Sequence, residues 1–384
     1  MMGGMDGLGP NEALIGRRGS RFALDTPALL VDLDALERNI SAMAAHARAV
    51  GVALRPHAKT HKSVRIAGMQ VAAGALGICC ATLGEAEAMV AGGIPGVHIT
   101  SPQVTPVKIA RLTALNARAE HGLSVVVDHP DNLAALDRAA QAAQRPLAVL
   151  VDFSAGHGRT GCADEQDLMR LARAAVAAEG LVFRGIQSYS GNLQHIPERA
   201  QRRARALAQL EQLGGMVRRL ADAGLSVPIV SGAGTGTFDI DPEARLFTEL
   251  QVGSYIFMDV DYLRALADGR NAPPFETALF VATAVVSVNA PGYVTCDGGL
   301  KCFATDGPAP EPVRGAPPGS RYEFFGDEHG KLVLPPGAAR PPLGAMIECV
   351  TPHCDPTVNL HDFYHLVRGD TLVDIWPVDA RGKR

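Results

Sequence analysis

The sequence predicts an α/β fold: a (β/α)8 barrel of the TIM type, followed by a mainly antiparallel β domain. From residue 28 to about residue 260, short apolar segments of strand length alternate with alanine-rich segments whose apolar residues have helical spacing. After about residue 275, strand-like segments follow one another with no helical segment between them. The chain has 384 residues and is 47% hydrophobic, which is enough to build both parts.

The alternating part supports a closed barrel. Repeated strand–helix units of this length are typical of a parallel sheet, and about eight of them indicate closure. An open, doubly wound sheet is the alternative, but no Gly-x-Gly-x-x-Gly segment follows the first predicted strand to support it. The predicted strands are 28–32, 77–82, 97–100, 124–128, 147–153, 183–187 and 229–231, and the predicted helices are 83–91, 106–118, 131–143, 165–178 and 199–223.

Domain boundaries follow from the change in pattern. We place the barrel at residues 25–272 and the β domain at residues 273–384, and a strand near residues 22–32 can join the β domain instead. Residues 1–24 are predicted to be a loose tail. They lack the basic region and apolar core of a signal peptide. The predicted strands of the β domain are 279–288, 293–296, 322–325, 346–350 and 371–376, with prolines clustered in the loop 308–318.

Composition excludes several classes of protein. A net charge of -4 without a basic stripe gives no reason to expect nucleic acid as a partner. No apolar run approaches the roughly 20 residues that a membrane span needs, so no membrane partner is expected. Seven cysteines, an odd number without the spacing of a disulfide scaffold, favour a reduced, cytoplasmic setting.

The segment 55–62 concentrates basic residues at the end of a predicted strand. Side chains alternate along a strand, so Arg55, His57 and Lys59 should share one face, which is costly unless an anion is bound there. A partly desolvated lysine amine beside other cations has a lowered pKa and can attack a carbonyl as a Schiff-base lysine. A surface lysine in a loop is the alternative interpretation.

Residues 26–34 and 55–62 together resemble the opening of the D-threonine aldolase and D-serine dehydratase family. The resemblance runs from about residue 25 to the C-terminus. It implies a pyridoxal 5'-phosphate (PLP) enzyme of fold type III, with an alanine racemase-type barrel. It also implies that Lys59 carries PLP as a Schiff base. Members of the family are usually homodimers whose active sites lie at the junction of domains and subunits.

A glycine-rich segment, 231–237, follows a late barrel strand. Glycines let backbone amides approach an anion closely, so the segment predicts phosphate binding, with a flexible turn as the alternative. The resemblance implies that Gly234 and Thr235 hold the phosphate of PLP. Tyr255 lies at the next strand end and is predicted to add contacts to the cofactor.

Polar side chains follow two further strands. Gln187, Tyr189 and Gln194 end or follow the strand 183–187, where a polar turn is the alternative. The resemblance implies that Gln187 meets the pyridine nitrogen, that Tyr189 contacts the ring or substrate, and that Gln194 lies on the same loop. Arg159 follows an earlier strand and is predicted to bind a carboxylate or the phenolic oxygen of the cofactor, unless it is an exposed loop residue.

A metal site is predicted in the β domain at His353 and Asp355. On an extended backbone two residues two apart point the same way and can chelate one ion, although such a pair also occurs by chance. The resemblance implies a metal at this position, with Asp355 as in the aldolases, where D-serine dehydratases have a cysteine and use zinc. One nitrogen and one carboxylate ligand favour Mn²⁺ or Mg²⁺. Cys354 should point to the opposite face, and Asp306 should cap a turn or, alternatively, reach the site.

These observations predict a PLP- and divalent-metal-dependent aldolase that cleaves D-β-hydroxy-α-amino acids to glycine and an aldehyde. The D configuration is implied by the resemblance alone. The nearest alternative is a dehydratase that removes the β-hydroxyl of D-serine or D-3-hydroxyaspartate on the same site. A racemase has no use for a metal at the β-carbon. A non-catalytic PLP carrier is the alternative from another class, and a β domain bearing His353 and Asp355 argues against it.

Overall fold

A computed structural model describes residues 7–120, 122–267 and 275–384 of the chain. The described residues form two compact units. The first, here called the barrel unit, comprises Ala42–Lys59, Ser63–Gly253 and Gly382–Arg384, and the second, the β unit, comprises the described residues of Met1–Ser41, Thr60–Lys62 and Ser254–Arg381. The predicted boundary between residues 272 and 273 falls outside the described residues.

The first strand, β1 (Ala28–Asp32), lies in the sheet of the β unit rather than in the barrel, and α1 (Leu33–Val50) follows it. It pairs antiparallel with residues 279–282 and parallel with residues 364–367. Burial covers the strand almost completely. A continuous apolar run indicates that a strand is buried on both faces. Central strands of the barrel and of the β unit are both buried in this way, so the local pattern does not identify the strands with which β1 pairs.

The barrel predicted from the sequence is confirmed. Eight parallel strands form one sheet, in the order β2-β9-β8-β7-β6-β5-β4-β3 once numbered along the chain. A parallel bridge between His57 and Cys79 joins the two outermost strands, and the Cys79 N–H donates to the Pro56 carbonyl at 2.8 Å, which closes the barrel. The strands are β2 (Ala53–Leu54), β3 (Cys79–Cys80), β4 (Val97–Ile99), β5 (Leu123–Val127), β6 (Leu147–Asp152), β7 (Leu181–Ser188), β8 (Ile229–Gly232) and β9 (Glu249–Leu250).

Local capping signals set where the barrel helices begin. Thr82 and Glu85 form a capping box at the start of one helix, and the side chains of Thr105 and Asp164 cap two others. Each of these helices therefore starts immediately after the loop that leaves a strand. The helices are α2 (Val64–Ala72), α3 (Leu83–Ala91), α4 (Pro106–Arg118), α5 (Pro130–Ala142), α6 (Glu165–Ala177) and α7 (Arg199–Asp222), and the β unit adds α8 (Val260–Ala265).

The β unit contains a nine-stranded sheet, confirming the mainly antiparallel C-terminal part. The pair of β1 with residues 363–368 is parallel, whereas the other strand pairs of this sheet are antiparallel. Its core includes Leu30, Phe280 and Ile375, all buried. The remaining elements are β10 (Leu279–Ser287), β11 (Tyr293–Cys296), β12 (Glu311–Arg314), β13 (Arg321–Phe324), β14 (Gly330–Val333), β15 (Met346–Val350), α9 (Cys354–Val358), β16 (Phe363–Arg368) and β17 (Thr371–Pro377).

The described part of the predicted tail, residues 7–24, is anchored to the β unit. Arg21 is buried and donates hydrogen bonds from Nε and Nη2 to the Glu348 carboxylate at 2.7 and 2.8 Å. The Asn11 side chain bonds the backbone of Asp25 and contacts Nε2 of His365 at 3.0 Å. Residues 1–6 of the predicted tail lie outside the described residues.

Two further findings bear on the class of protein. All seven cysteines lie within the described residues, and each is a buried free thiol. Among the helices of the described ranges, none has the length and apolar character needed to cross a membrane.

Candidate active site

Four of the predicted segments lie at one rim of the barrel unit. Lys59 follows β2, Arg159 follows β6, Gln187 ends β7, and Gly234 follows β8. The strands are parallel, so their carboxyl ends meet at the same end of the barrel. The barrel topology therefore brings these segments to the end where enzymes with this architecture have their active sites.

Lys59 lies in a single 3-10 turn, Ala58–Thr60, and is half-buried. Its backbone N–H donates to Nδ1 of His57 at 3.3 Å, and Nε2 of His57 lies 3.2 Å from the Thr100 hydroxyl. The imidazole of His57 thus connects the turn that carries Lys59 to the end of strand β4. This arrangement holds the backbone of Lys59 at the barrel rim.

The sequence pattern predicted that the charge of Arg55 faces a bound anion. In the structure, that charge is instead paired with a carboxylate of the protein. Arg55 Nε and Nη2 donate to the two carboxylate oxygens of Glu249, both at 2.9 Å, and Nη1 donates to the Gly96 carbonyl. Burial lowers the pKa of Arg55, but the bonds to Glu249 outweigh it, so the pKa is raised. The sequence pattern correctly required an anion, and the adjacent strand β9 supplies it.

Gln187 is the centre of a buried hydrogen-bond network inside the barrel. Its Nε2 donates to the Thr100 carbonyl at 3.2 Å and to Asp152 Oδ1 at 3.0 Å. Its Oε1 lies 3.0 Å from His98 Nε2 and accepts from Gln251 Nε2 at 3.1 Å. An amide has two donor hydrogens and two acceptor lone pairs, so protein groups occupy all four positions. A hydrogen bond from Gln187 to a pyridine nitrogen would have to replace one of them.

His98 is neutral in this network. Its Nε2 faces an amide oxygen, so Nε2 carries the proton, and Nδ1 accepts from the Ser124 hydroxyl at 2.8 Å. Burial, together with the positive charge of Arg55, lowers the pKa of His98 to about 4. A single tautomer is therefore fixed at neutral pH, and with it the orientation of the Gln187 amide.

A small cavity at the rim is lined by residues at and after the ends of β6 and β7, among them His157 and the predicted residues Arg159 and Tyr189. The guanidinium of Arg159 lies over the ring of Tyr189, 5.8 Å from its centroid. Arg159 is exposed and makes no ion pair with a carboxylate of the described residues, so its donors are accessible to a ligand. Asp152 forms the polar floor, and burial raises its pKa to about 6.

Gln194 connects the loop after β7 to the glycine-rich loop after β8. Its Oε1 accepts from the Gly236 N–H at 2.8 Å, and its Nε2 donates to the Thr237 hydroxyl at 3.2 Å. A Cβ atom on Gly236 would lie 2.0 Å from the Gln194 carbonyl oxygen, so only glycine fits at that position of the loop. The buried Gly234 N–H has no acceptor among the described residues, as a site for an oxyanion requires.

Below this loop, Asp241 is fully enclosed and accepts a hydrogen bond from the Thr237 hydroxyl at 2.6 Å. Burial raises the pKa of Asp241 to about 7, and the neighbouring Asp239 also raises it. The folded chain therefore keeps a proton there that the unfolded chain releases above its ordinary value of 3.8.

We expect Asp241→Asn to stabilise the chain by about 2–3 kcal/mol more at pH 8 than at pH 5. Because the wild-type folded state binds the extra proton, its free energy of unfolding falls as the pH rises from about 4 to about 7, by up to about 4 kcal/mol. Asparagine accepts the same hydrogen bond without titrating. Urea unfolding at both pH values measures this, with the exposed Asp131→Asn as control. An equal effect of D241N at both pH values would contradict the assignment.

Tyr255 belongs to the β unit, in the 3-10 turn Ser254–Ile256. It is fully buried, and its ring packs edge-on against Phe275 with centroids 5.6 Å apart. Its predicted contact with a cofactor stays a prediction.

The predicted metal ligands also lie in the β unit, where the chain passes from β15 into α9. The extended backbone assumed for the pair continues only through His353, because α9 begins at Cys354 and places Asp355 in its first turn. His353 Nδ1 lies 2.9 Å from Asp306 Oδ2. Burial lowers the pKa of His353, but the negative charges of Asp355 and Asp306 outweigh it, so the pKa is raised overall. Cys354 is fully buried, and burial raises the pKa of its thiol strongly.

One residue of the site was not singled out from the sequence, and for another the less favoured interpretation holds. Asp259 is buried, and its Oδ2 accepts from the Cys354 N–H at 2.8 Å, which fixes the start of α9. Asp306, for which a turn cap was the favoured interpretation, instead contacts His353. Asp297, which follows β11, accepts through its Oδ1 from the Thr283 hydroxyl and the Ala284 N–H of the neighbouring strand β10.

Comparison with known proteins shows the same two-part arrangement. The alanine racemase N-terminal domain family matches residues 31–261, and the putative serine dehydratase domain family matches residues 278–367. The D-threonine aldolase of Arthrobacter sp. is 41% identical over 360 residues, which cover 94% of this chain and 93% of that protein. The 3-hydroxy-D-aspartate aldolase of Paracoccus denitrificans (strain Pd 1222) is 39% identical over 364 residues, covering 94% and 93%.

Among solved structures, the D-threonine aldolase of Filomicrobium marinum is similar to this chain along nearly its whole length. The TM-score is 0.89 at 43% identity, and the alignment covers 94% of this chain and 96% of that one.

Proposed function

The chain belongs to the D-threonine aldolase-like family of alanine racemase-type proteins and is an aldolase-type lyase, and we propose that it cleaves D-β-hydroxy-α-amino acids with PLP and a divalent metal. The observation that carries the proposal is 41% identity to a D-threonine aldolase across 94% of the chain. Lys59, His353 and Asp355 supply the amine and the two metal ligands that the proposal requires.

The barrel rim has the donor set that PLP requires. Lys59 would hold the aldehyde carbon, and the N–H of Gly234 with the Thr235 segment would hold the phosphate. Arg159, with its donors unpaired by carboxylates, would bind the phenolic oxygen or the substrate carboxylate. Gln194 supports the phosphate loop rather than the phosphate itself, since its amide bonds Gly236 and Thr237.

When bound, PLP supplies an electron sink for the pair released by a broken bond at Cα. The protein groups around it determine how strong that sink is. Gln187 is neutral and saturated by Thr100, Asp152, His98 and Gln251, so it brings no charge to the ring. We propose that this network sets the polarity beneath the ring and that Tyr189 bounds the substrate side of the cavity.

The turn before α9 has the chemistry of a hard-metal site. An imidazole nitrogen of His353 and a carboxylate oxygen of Asp355 would hold Mn²⁺ or Mg²⁺, with open positions left for water and substrate. When bound, such an ion lowers the pKa of a coordinated hydroxyl and favours loss of its proton. We propose the β-hydroxyl of the substrate as that group, and an imidazole or a bound water as the base.

A dehydratase is the rival on the same residues. The match of residues 278–367 to a putative serine dehydratase domain is the observation that favours it. Carboxylate coordination by Asp355, in place of a thiolate, favours the aldolase. The methyl and carboxylate side chains of threonine and 3-hydroxyaspartate are both proposed substrates, because the similar proteins include aldolases named for each.

Product analysis with D-threonine tests the proposal. The PLP-loaded chain with Mn²⁺ should release acetaldehyde and glycine in equal amounts, and L-threonine serves as the matched control that should not react. Formation of 2-oxobutanoate and ammonia instead would establish the dehydratase. Absence of any turnover in the PLP-loaded chain would support the non-catalytic carrier.

The setting of the enzyme is proposed on the same basis. Seven buried free thiols suit a reducing cytoplasm, and the family resemblance supports a homodimer. Light scattering of the purified chain, with an expected mass of twice 40.3 kDa, measures the assembly.

A further inference from the structure

We propose that Asp306 is the positioning residue that orients His353 for metal binding. The inference rests on the proposed function, in which His353 is a metal ligand. Its observation is the distance of 2.9 Å between His353 Nδ1 and Asp306 Oδ2. The loop after β11 carries Asp306, so the contact joins two parts of the β unit that are 47 residues apart in the chain.

The chemistry of this contact selects one nitrogen of the ring. An ionised carboxylate only accepts hydrogen bonds, so the imidazole must donate from Nδ1. A neutral imidazole has a single N–H, and Nε2 then keeps the lone pair that binds a metal. Histidine ligands in metal sites usually donate their second nitrogen to a carboxylate in this manner, which fixes the tautomer and makes the ligand more basic.

Asp306 acts through His353 rather than as a third ligand. Across residues 7–120, 122–267 and 275–384, no three His, Cys, Asp or Glu side chains are grouped so that they could hold one ion. Asp306 therefore contacts the ring without converging with Asp355 on a shared position. Its side chain is 55% exposed, against 28% for His353, so it lies on the solvent side of the pair.

The backbone on both sides of this contact is fixed. The buried Thr357 hydroxyl accepts from the Ala304 N–H at 3.0 Å and donates to the His353 carbonyl at 2.7 Å, which ties the loop to the turn. A Cβ atom on Gly307 would lie 3.3 Å from the Pro352 carbonyl oxygen, so the loop also packs closely beyond Asp306.

Asp259 holds the following residue of the turn by accepting the Cys354 N–H. With the main chain held at three points, the remaining freedom at His353 is rotation of its side chain. The carboxylate of Asp306 removes that freedom by binding Nδ1. Asp306 should therefore contribute to metal affinity without contributing much to folding.

The test measures Mn²⁺ binding to the full-length, PLP-loaded, chelator-treated chain, by the electron paramagnetic resonance signal of free Mn²⁺. Asp306→Ala should weaken Mn²⁺ binding by about 10–100-fold. Asp306→Asn should recover most of that loss, because its amide oxygen accepts the same N–H. The absorbance of bound PLP and the melting temperature without metal should not change. Asp362→Asn is the matched control, an exposed carboxylate of the β unit that pairs with Arg381.

Unchanged or tighter Mn²⁺ binding by D306A would overturn the inference. Tighter binding is the result expected if the carboxylate merely favoured a proton on the ring in competition with the metal. If H353A abolishes binding while D306A matches wild type, the inference alone fails, and a wild-type chain that binds no Mn²⁺ overturns the metal role as well. Should D306A fail to fold, Asp306→Ser, too short to reach the ring, replaces it with the same expected weakening.

Discussion

Lys59→Arg is expected to lose the visible absorbance of bound PLP and to lower aldolase activity by on the order of 10⁴-fold or more. Arginine keeps the charge and approximate length of lysine, but its guanidinium does not form a Schiff base with an aldehyde. His57 holds the turn around Lys59 through the backbone, so the substitution should leave the fold intact. Absorbance spectra of the purified protein and acetaldehyde release from D-threonine measure the two effects.

Lys62→Arg is the matched control for this experiment. Lys62 lies three residues away and has a positive φ of 49°, which arginine adopts as readily as lysine. K62R should keep both the PLP absorbance and the activity. If K62R lost the absorbance while K59R kept it, PLP would be bound at Lys62 and the assignment to Lys59 would be wrong.

His353→Ala and Asp355→Ala are each expected to leave PLP bound while lowering turnover by about 10³-fold. A metal that stabilises developing charge contributes several kcal/mol to a transition state, and either variant removes one of two protein ligands. The PLP spectrum reports on the barrel rim, and Mn²⁺ binding reports on the turn before α9. The expected pattern is therefore an intact spectrum with lost metal binding and lost acetaldehyde release.

Cys354→Ala provides the control within the same turn. The thiol is fully buried, and the proposed ligands are His353 and Asp355 on either side of it. C354A should keep Mn²⁺ binding and activity. Loss of metal binding in C354A together with its retention in D355A would show a thiolate site of the kind that D-serine dehydratases use.

Much of the fold could be predicted because local pattern and burial agree. Strands such as β5 and β6 are short, nearly continuous apolar runs, and capped helices such as α4 and α6 have apolar residues at helical spacing. Three barrel strands, β2, β3 and β9, have only two residues each, too few for a period to show. The place of β1 in the β unit depends on partners more than 240 residues later, which no local signal contains.

The candidate site divides in the same way. Lys59, Gln187 and Gly234 follow strands, so their position at the barrel rim can be predicted from the order of elements. Which groups pair with one another could not be, because it depends on tertiary contacts. Glu249 neutralises Arg55 across a strand pair formed by residues nearly 200 apart, and the Gln187 amide is saturated by groups from β4, β6 and the strand end at Gln251.

The contact between Asp306 and His353 could not be predicted from the sequence, because it depends on the path of a loop. Nothing in the spacing of the loop after β11 indicates that it returns to His353. The contact depends on the hydroxyl of Thr357 and on a glycine that packs against Pro352, and both are ordinary residues in the sequence. The helical turn that starts at Cys354 was likewise hidden, because a five-residue helix is too short for periodicity.

One titration tests directly whether the lysine-bound cofactor and the metal serve a single reaction. Mn²⁺ is added stepwise to the chelator-treated, PLP-saturated chain, and the initial rate of acetaldehyde release from D-threonine is followed. The rate should start near zero, rise in proportion to the added ion, and reach its plateau at one ion per Lys59-bound PLP. Full acetaldehyde release before any ion is added would contradict the claim that the lysine-bound cofactor and the metal serve one reaction.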